Sequence, residues 1–327
     1  MFSRMILGAV SALVFAAAAG QAGAAGKYDG KKILFIDSYH QGYAWSDGTL
    51  AGVRSVLDSS GAEVRVVEMD TKRKKTDEDK LAAAEMVRRT IDSFRPDVVI
   101  ASDDNASKYV IVTYYKDAAL PFVFCGVNWD ASSYGFPYKN VTGMVEVAAV
   151  DELFAFLERL TDGRRVGYLA AEVFTAHKEQ ENIESTFSMR FTETRYATTM
   201  DEWQSQFREL QGKVDILLVG NSAGTEGWDD DAAARFVEQY SKIPSGGIHE
   251  HMSRFVLIGY TKLAEEQGEW AAKTALRIID GTPPSSIPIA RNTQGRLVIN
   301  ARIADSLGGG ATAALGEMLQ SADEVIE

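Results

Sequence analysis

At 327 residues the chain is long enough for two domains of ordinary size, and its 46% hydrophobic content can supply a packed core to each. A formal net charge of −12 repels phosphate backbones, which argues against nucleic acid as a partner. The one cysteine, Cys125, excludes an intramolecular disulfide, and its place in the apolar run Phe122-Val123-Phe124-Cys125 marks it as a small buried hydrophobe.

Arg4 is the only charge in residues 1–24. An apolar run from Met5 to Ala19 follows, then small residues ending in Ala22-Gly23-Ala24. A basic start, a short apolar middle and a small-x-small exit predict a signal peptide over 1–24, cleaved on export to the periplasm. The apolar run is too short to span a bilayer. Ala25, not a cysteine, would become the new N-terminus, so the mature chain is expected to carry no lipid anchor.

Strand-like and helix-like segments then alternate. Lys32 to Ile36 reads as a buried parallel strand, and Ser46 to Asp58 as a helix with Leu50, Val53 and Leu57 on one face. Glu63 to Met69 is the next strand. Thr76-Asp77-Glu78-Asp79 has capping-box spacing and opens a helix that Pro96 stops. Asp97 to Ala101 is a strand, Asp104 to Tyr115 a helix, and Pro121 to Cys125 and Val141 to Val147 are two more strands. The pattern restarts with strands at Arg165–Ala170, Phe191–Tyr196 and Val214–Val219, and helices at Thr175–Phe187, Asp201–Leu210 and Asp229–Tyr240. A helix Ala264–Asp280 and a strand Arg296–Asn300 come last. Two such series predict an α/β protein with two doubly wound parallel sheets joined by crossing strands.

In sheets of this kind ligands sit beyond the carboxyl ends of the strands. The segments expected there hold Ser38, Tyr39, His40, Tyr43 and Trp45 after the first strand, and Asp103, Asp104 and Asn105 after the third. Asn128 and Trp129 follow the fourth, and Glu146 closes the fifth. The second series adds Glu172, Asn221, Gly247 and His249. Aromatics, amides and carboxylates dominate, which suits a neutral or cationic organic ligand that is stacked and hydrogen-bonded. Loops favour Asp, Asn, Ser and Gly in any case, but three aromatics between Tyr39 and Trp45 are harder to assign to an ordinary turn.

Across these loops the chain resembles the periplasmic substrate-binding proteins of ABC transporters, in the branch that includes tryptophan- and phenylalanine-binding members. The residues that carry this are Ile36 to Tyr43, Ser102 to Asn105, Gly126 to Trp129, Glu265 to Ala272 and Asp280 to Pro284. The likeness runs from about Lys31 to Leu307. It implies a type I periplasmic binding fold with three crossovers and a cleft that closes on its ligand. One lobe would take 27–147 plus 254–282, the other 148–253 plus 283–327. It also implies a monomer that takes a small organic ligand, with aromatic amino acids the known case, and hands it to an ABC permease. A second role in the same family is sensing, in which occupancy is reported to a kinase or cyclase partner.

Enzymatic and metal readings compete with this. Gly220-Asn221-Ser222-Ala223-Gly224 matches the G-x-S-x-G elbow of serine hydrolases, with His249 and His251 downstream. Against it, Thr225-Glu226-Gly227 separate the motif from the next helix, and Asp229–Asp231 lie too near the serine to be the acid of a later strand. The expectation is therefore a binding protein without catalysis. His249-Glu250-His251 has i, i+2 spacing and no evident third ligand, so no metal is expected. No phosphate-cradling glycine loop of the G-x-G-x-x-G or P-loop kind follows a strand, so no nucleotide cofactor is expected. Lys72-Arg73-Lys74-Lys75 reads as a solvated basic loop.

Overall fold

The computed structural model describes residues 26–307 and 312–327. The expected signal peptide, 1–24, lies outside them. The chain forms two separate sheets with helices between strands, and this bears out the α/β class.

The first sheet is built from β1 (Lys32–Asp37), β2 (Glu63–Glu68), β3 (Val98–Ser102), β4 (Phe122–Asn128) and β5 (Val141–Glu146). Their order is 5-4-3-1-2, all neighbours parallel. Helix α1 (Ala44–Leu57) follows β1, α2 (Asp77–Phe94) follows β2, and the short α3 (Asp103–Ala106) follows β3. Ile33 to Ile36 are all buried, as a strand covered on both faces requires. The Thr76 side chain accepts the Asp79 N–H at 3.1 Å and caps α2. Arg95, in the left-handed region, ends that helix before Pro96. The helix expected over Asp104–Tyr115 is not regular. After α3 the backbone widens into a π-helical turn at Ser107–Val112, and the Thr113 hydroxyl donates to the Lys108 carbonyl.

The second sheet begins after α4 (Val150–Leu157). It contains β6 (Val166–Ala171), β7 (Glu193–Ala197), β8 (Ile216–Val219), β9 (Ser245–Gly247) and β10 (Ile258–Lys262), in the order 10-9-8-6-7. That order repeats the first sheet's, strand for strand. Between these strands run α5 (Phe174–Thr186), α6 (Met200–Leu210) and α7 (Asp230–Tyr240). Thr199 and Glu202 cap α6 reciprocally. Helix α8 (Ala264–Ile279) returns to the first sheet, and β11 (Ala290–Arg291) pairs with β5 there. The chain then rejoins the second sheet as β12 (Gly295–Asn300), antiparallel to β10. Helices α9 (Ala301–Ser306) and α10 (Thr312–Ser321) and strand β13 (Glu324–Ile326) complete it.

The lobe boundaries differ from the expected ones. Residues 258–262, assigned to the first lobe by resemblance, pair with β9 and β12 in the second sheet. Residues 287–291, assigned to the second, run along the first, where the Thr142 hydroxyl donates to the Ile287 carbonyl. The chain therefore crosses at 146–150, 262–264 and 291–295. Strand β9 is Ser245-Gly246-Gly247 and shows no apolar periodicity, and β10 follows the apolar run Phe255–Ile258, of which only the last residue belongs to the strand. A Cβ on Gly246 would press into Leu153 and Leu157, and one on Gly259 would lie 2.2 Å from the Ser253 hydroxyl.

The crossings are tied together by α8. Gln267, fully buried, accepts the Gly126 N–H at 2.9 Å and donates to the Val145 carbonyl and to Asn292. Asn292 in turn accepts the Val147 N–H at 2.8 Å, and the Glu266 carboxylate accepts the N–H groups of Thr293 and Gln294. Helix α8 reaches this place because it crosses α1 at backbone contact. A Cβ on Gly52 would stand 2.0 Å from the Glu265 carbonyl, and one on Gly268 1.9 Å from the Thr49 carbonyl.

Candidate functional site

The loop after β1 is held from behind. The Ser38 hydroxyl donates to the Ser102 carbonyl and accepts the Ala106 N–H at 2.8 Å, which locks this loop to α3. Asp37 accepts the Tyr39 N–H at 2.8 Å and the Ser46 hydroxyl at 2.7 Å. The Asp70 N–H donates to the Tyr39 carbonyl, the Thr71 N–H to the Ser38 carbonyl, and Asn105 to the Thr71 hydroxyl. Pinned in this way, the loop presents Tyr39 and Tyr43 edge to face, ring centres 5.0 Å apart.

These rings form one side of a cavity of about 260 Å³ lined by Tyr39, Tyr43, Trp45, Lys72, Asp103, Asn128 and Glu146. Asp103 is 2% exposed, adopts φ 70°, and accepts the Ser102 hydroxyl at 2.9 Å. Burial, and after it the neighbouring Glu146, push its carboxyl well above the usual carboxylate range. Burial also raises Glu146, against the pull of Lys262, whose ammonium is paired with it. Lys262 ends β10 and Glu146 ends β5, so this pair joins the carboxyl ends of the two sheets. The Lys262 ammonium lies 5.6 Å from the Trp45 ring centre, and Lys72 lies 4.2 and 4.6 Å from those of Tyr39 and Tyr43. The indole nitrogen of Trp45 is buried without a hydrogen-bond partner.

Six of the residues singled out in the sequence thus converge: Tyr39, Tyr43, Trp45, Asp103, Asn128 and Glu146. Others lie close by with different tasks. Ser38 and Asn105 brace the loops. Asp104 accepts from Asn128 at 2.7 Å and from the Tyr134 hydroxyl at 2.8 Å. His40 stands against Tyr43 and its own loop, and Trp129 packs between the cores of both sheets. The second-series candidates do not line this cavity. Glu172 pairs with His177 at 2.7 Å, and Asn221 with His251 at 3.1 Å. His249 Nε2 lies 2.7 Å from Glu179, at an angle that makes no hydrogen bond. Gly247 is backbone of β9, parallel to Gly259.

One lining residue, Lys72, and one cation beside the cavity, Lys262, were not foreseen. Lys72 belongs to the run read as a solvated loop, but it sits directly after β2, at the carboxyl end where a contributing loop is expected. Lys262 ends β10, which follows the apolar run Phe255–Ile258. A larger groove of about 700 Å³ runs beside the free edge of β2, with Leu50, Val66, Val67 and Met86 in its wall. It reaches Asp37 and Glu68 at the carboxyl ends of β1 and β2 and Gln41 of the loop between β1 and α1, so it borders the other side of the loop that carries Tyr39 and Tyr43.

Ser222 does not stand at a nucleophile elbow. The strand β8 ends at Val219, a turn follows in which the Thr225 N–H donates to the Ser222 carbonyl, and α7 starts only at Asp230. The imidazole of His251 is engaged by Asn221. Among the described residues no group of three or more His, Cys, Asp or Glu side chains could hold a metal ion, and no helix is long and apolar enough to cross a membrane.

Residues 45–326 match the family model for ABC transporter substrate binding proteins. A search of curated proteins found no match. Among solved structures, the chain is similar to the ligand-free, open form of a substrate binding protein with adhesive properties from Clostridium difficile, with 17% identity, TM-score 0.64, and 85% of this chain and 95% of that one covered. It is also similar to an ABC domain in complex with L-Trp from Streptococcus pneumoniae (18%, TM-score 0.50, 90% and 99% covered). An arabinose binding protein from Geobacillus stearothermophilus gives 14% identity and TM-score 0.53, with 85% and 99% covered. At these identities the likeness speaks for the fold.

Proposed function

This chain belongs to the family of ABC transporter substrate-binding proteins, and from that premise we propose that it captures a small zwitterionic ligand with an apolar ring, an aromatic amino acid above all, and delivers it to an ABC permease from the periplasm. The ligand rests on the cavity of the first lobe, and the second lobe closes over it about the three crossings. One observation carries this reading: a carboxyl buried to 2% exposure faces a cavity walled by three aromatic rings. A buried acid in that setting costs free energy unless something cationic meets it. An ammonium group placed between Asp103 and Glu146 would do so, and the rings would stack on the ligand's side chain. The carboxylate would find the Lys72 ammonium and the unpartnered Trp45 N–H. The cavity is somewhat smaller than the roughly 300–1,000 Å³ of enclosed ligand sites, as one wall of an open cleft should be. Binding proceeds without turnover, since Ser222 has no elbow and its neighbouring imidazole is engaged elsewhere.

A thermal-shift screen with the twenty L-amino acids, aromatic amines and nucleobases tests this. A compound present at 100 times its dissociation constant adds about 2.7 kcal/mol of stability. Aromatic amino acids should give the largest shifts, and the decarboxylated amines much smaller ones. Equal shifts from amines and amino acids would rule out the zwitterion, and no shift from any compound would rule out the reading.

A further inference from the structure

The loops after β1 and β6 are counterparts, because the two sheets share one strand order and β1 and β6 occupy the same place in it. Both open at carboxyl ends that the Glu146–Lys262 pair brings together. The β1 loop carries the aromatic wall of the cavity. The β6 loop carries one aromatic, Phe174, at the first position of α5. It is 75% exposed, the barest of the large hydrophobic side chains among the described residues, and the Lys178 ammonium lies 5.8 Å from its ring centre. The flanking polar groups are held away from it: Glu172 pairs with His177, which stacks on Tyr196 with ring centres 3.8 Å apart. A single exposed phenylalanine is ordinary in itself; what points to a ligand is its place, in the loop that is the counterpart of the aromatic loop after β1.

Resting on the reading above, we propose that Phe174 is the second lobe's aromatic wall. On closure it leaves water and covers the ring of the bound compound from the side opposite Tyr39 and Tyr43. It is then a specificity residue: it favours ligands with a flat apolar group and adds nothing to the free protein. The driving force is apolar area removed from water by a side chain that is already at the site. Because Phe174 is largely exposed here, the ligand and the first lobe alone decide whether it is buried.

Two measurements test this. In the first, the double variant Tyr43→Cys/Phe174→Cys is treated with a short bis-maleimide, with Tyr43→Cys/Val325→Cys as the control pair. Val325 is exposed on β13 at the edge of the second sheet, and the native Cys125 is buried. The 43/174 pair should link and the control pair should not. Linking no better than the control overturns the proposal. In the second, the amino-acid screen is repeated on Phe174→Ala. Without additive its melting temperature should equal that of the wild type, and L-tryptophan or whichever amino acid shifts the wild type most should bind about tenfold more weakly. An undiminished shift overturns the role of Phe174 and leaves the binding reading intact. A wild type that responds to no compound overturns the binding reading, and the cross-link then decides by itself whether Phe174 closes onto the first lobe.

Discussion

The two rims that face the cleft are built in opposite ways. The first-lobe loops are anchored by buried and half-buried hydrogen bonds of Ser38, Asp37 and Asn105, and their aromatic and acidic groups stand in place before any ligand arrives. The second-lobe rim consists of exposed pairs, Glu172 with His177 and Asn221 with His251, around a bare Phe174. The contrast assigns them different tasks. A preorganised platform lowers the ordering cost of binding, whereas a loosely furnished cover can be positioned by the ligand itself. Strain follows the same division: Asp103 sits at φ 70° and Trp129 at φ 57°, both on the platform.

Substitutions can break this comparison in graded steps. The largest effect is expected at the α1–α8 contact that supports the platform. Gly268→Ala would place a methyl 1.9 Å from a backbone carbonyl, and denaturant unfolding should show a loss of about 3 kcal/mol. A loss below about 1 kcal/mol would show that the helices can separate freely.

The next step is Lys262→Met. It leaves the buried Glu146 without its cation, and unfolding at neutral pH should show a loss of about 2 kcal/mol, below the usual figure for a fully buried pair because Lys262 is partly solvated. The loss should shrink as the pH is lowered and Glu146 takes up a proton. A pH-independent loss would assign the effect to packing.

Asp103→Asn should change stability by about 1 kcal/mol in the other direction. Its folded pKa is raised, so relative to the unfolded chain the protonated form is favoured. That contribution is fully present below about pH 3.9 and is lost as the pH rises through the folded value. At neutral pH the wild type therefore bears the cost of burying an acid, whether it holds its proton or gives it up, and asparagine removes that cost. The variant should melt higher and no longer bind the screened amino acid. Higher stability with retained binding would mean that no ammonium meets Asp103.

The smallest effect belongs to the other rim. Glu172→Gln breaks only the exposed contact to His177, and stability should stay within about 0.5 kcal/mol. A larger loss would show that the second rim is as preorganised as the first.

Much of the strand and helix order was legible because long apolar runs and caps are local signals. Lys32–Ile36, the Thr76 cap and the Pro96 stop each act within a few residues, and each is present. Strand β9 was not legible, since its glycines serve close packing against Leu153 and such contacts leave no periodicity, whereas the run Phe255–Ile258 leading into β10 is an apolar signal of the same kind as Lys32–Ile36. At the site, Tyr39, Tyr43, Trp45, Asp103, Asn128 and Glu146 were found by one rule, that function lies after parallel strands. The same rule applied to β2 leads to Lys72, whose basic neighbours gave it the look of an ordinary solvated loop.

The amino-acid order by itself determined the alternation of elements, the restart that makes two sheets, and the aromatic loop after the first strand, because periodicity, capping and turn chemistry act over one or two turns of chain. Tertiary structure decided which side chains meet. The Lys262–Glu146 pair joins residues 116 positions apart, Gln267 and Asn292 tie three crossings distant in sequence, and Phe174 alone is left in water on its rim. Long-range contacts depend on how sheets and helices dock, and docking here rests on backbone approach at Gly52 and Gly268, where a missing side chain is the deciding feature.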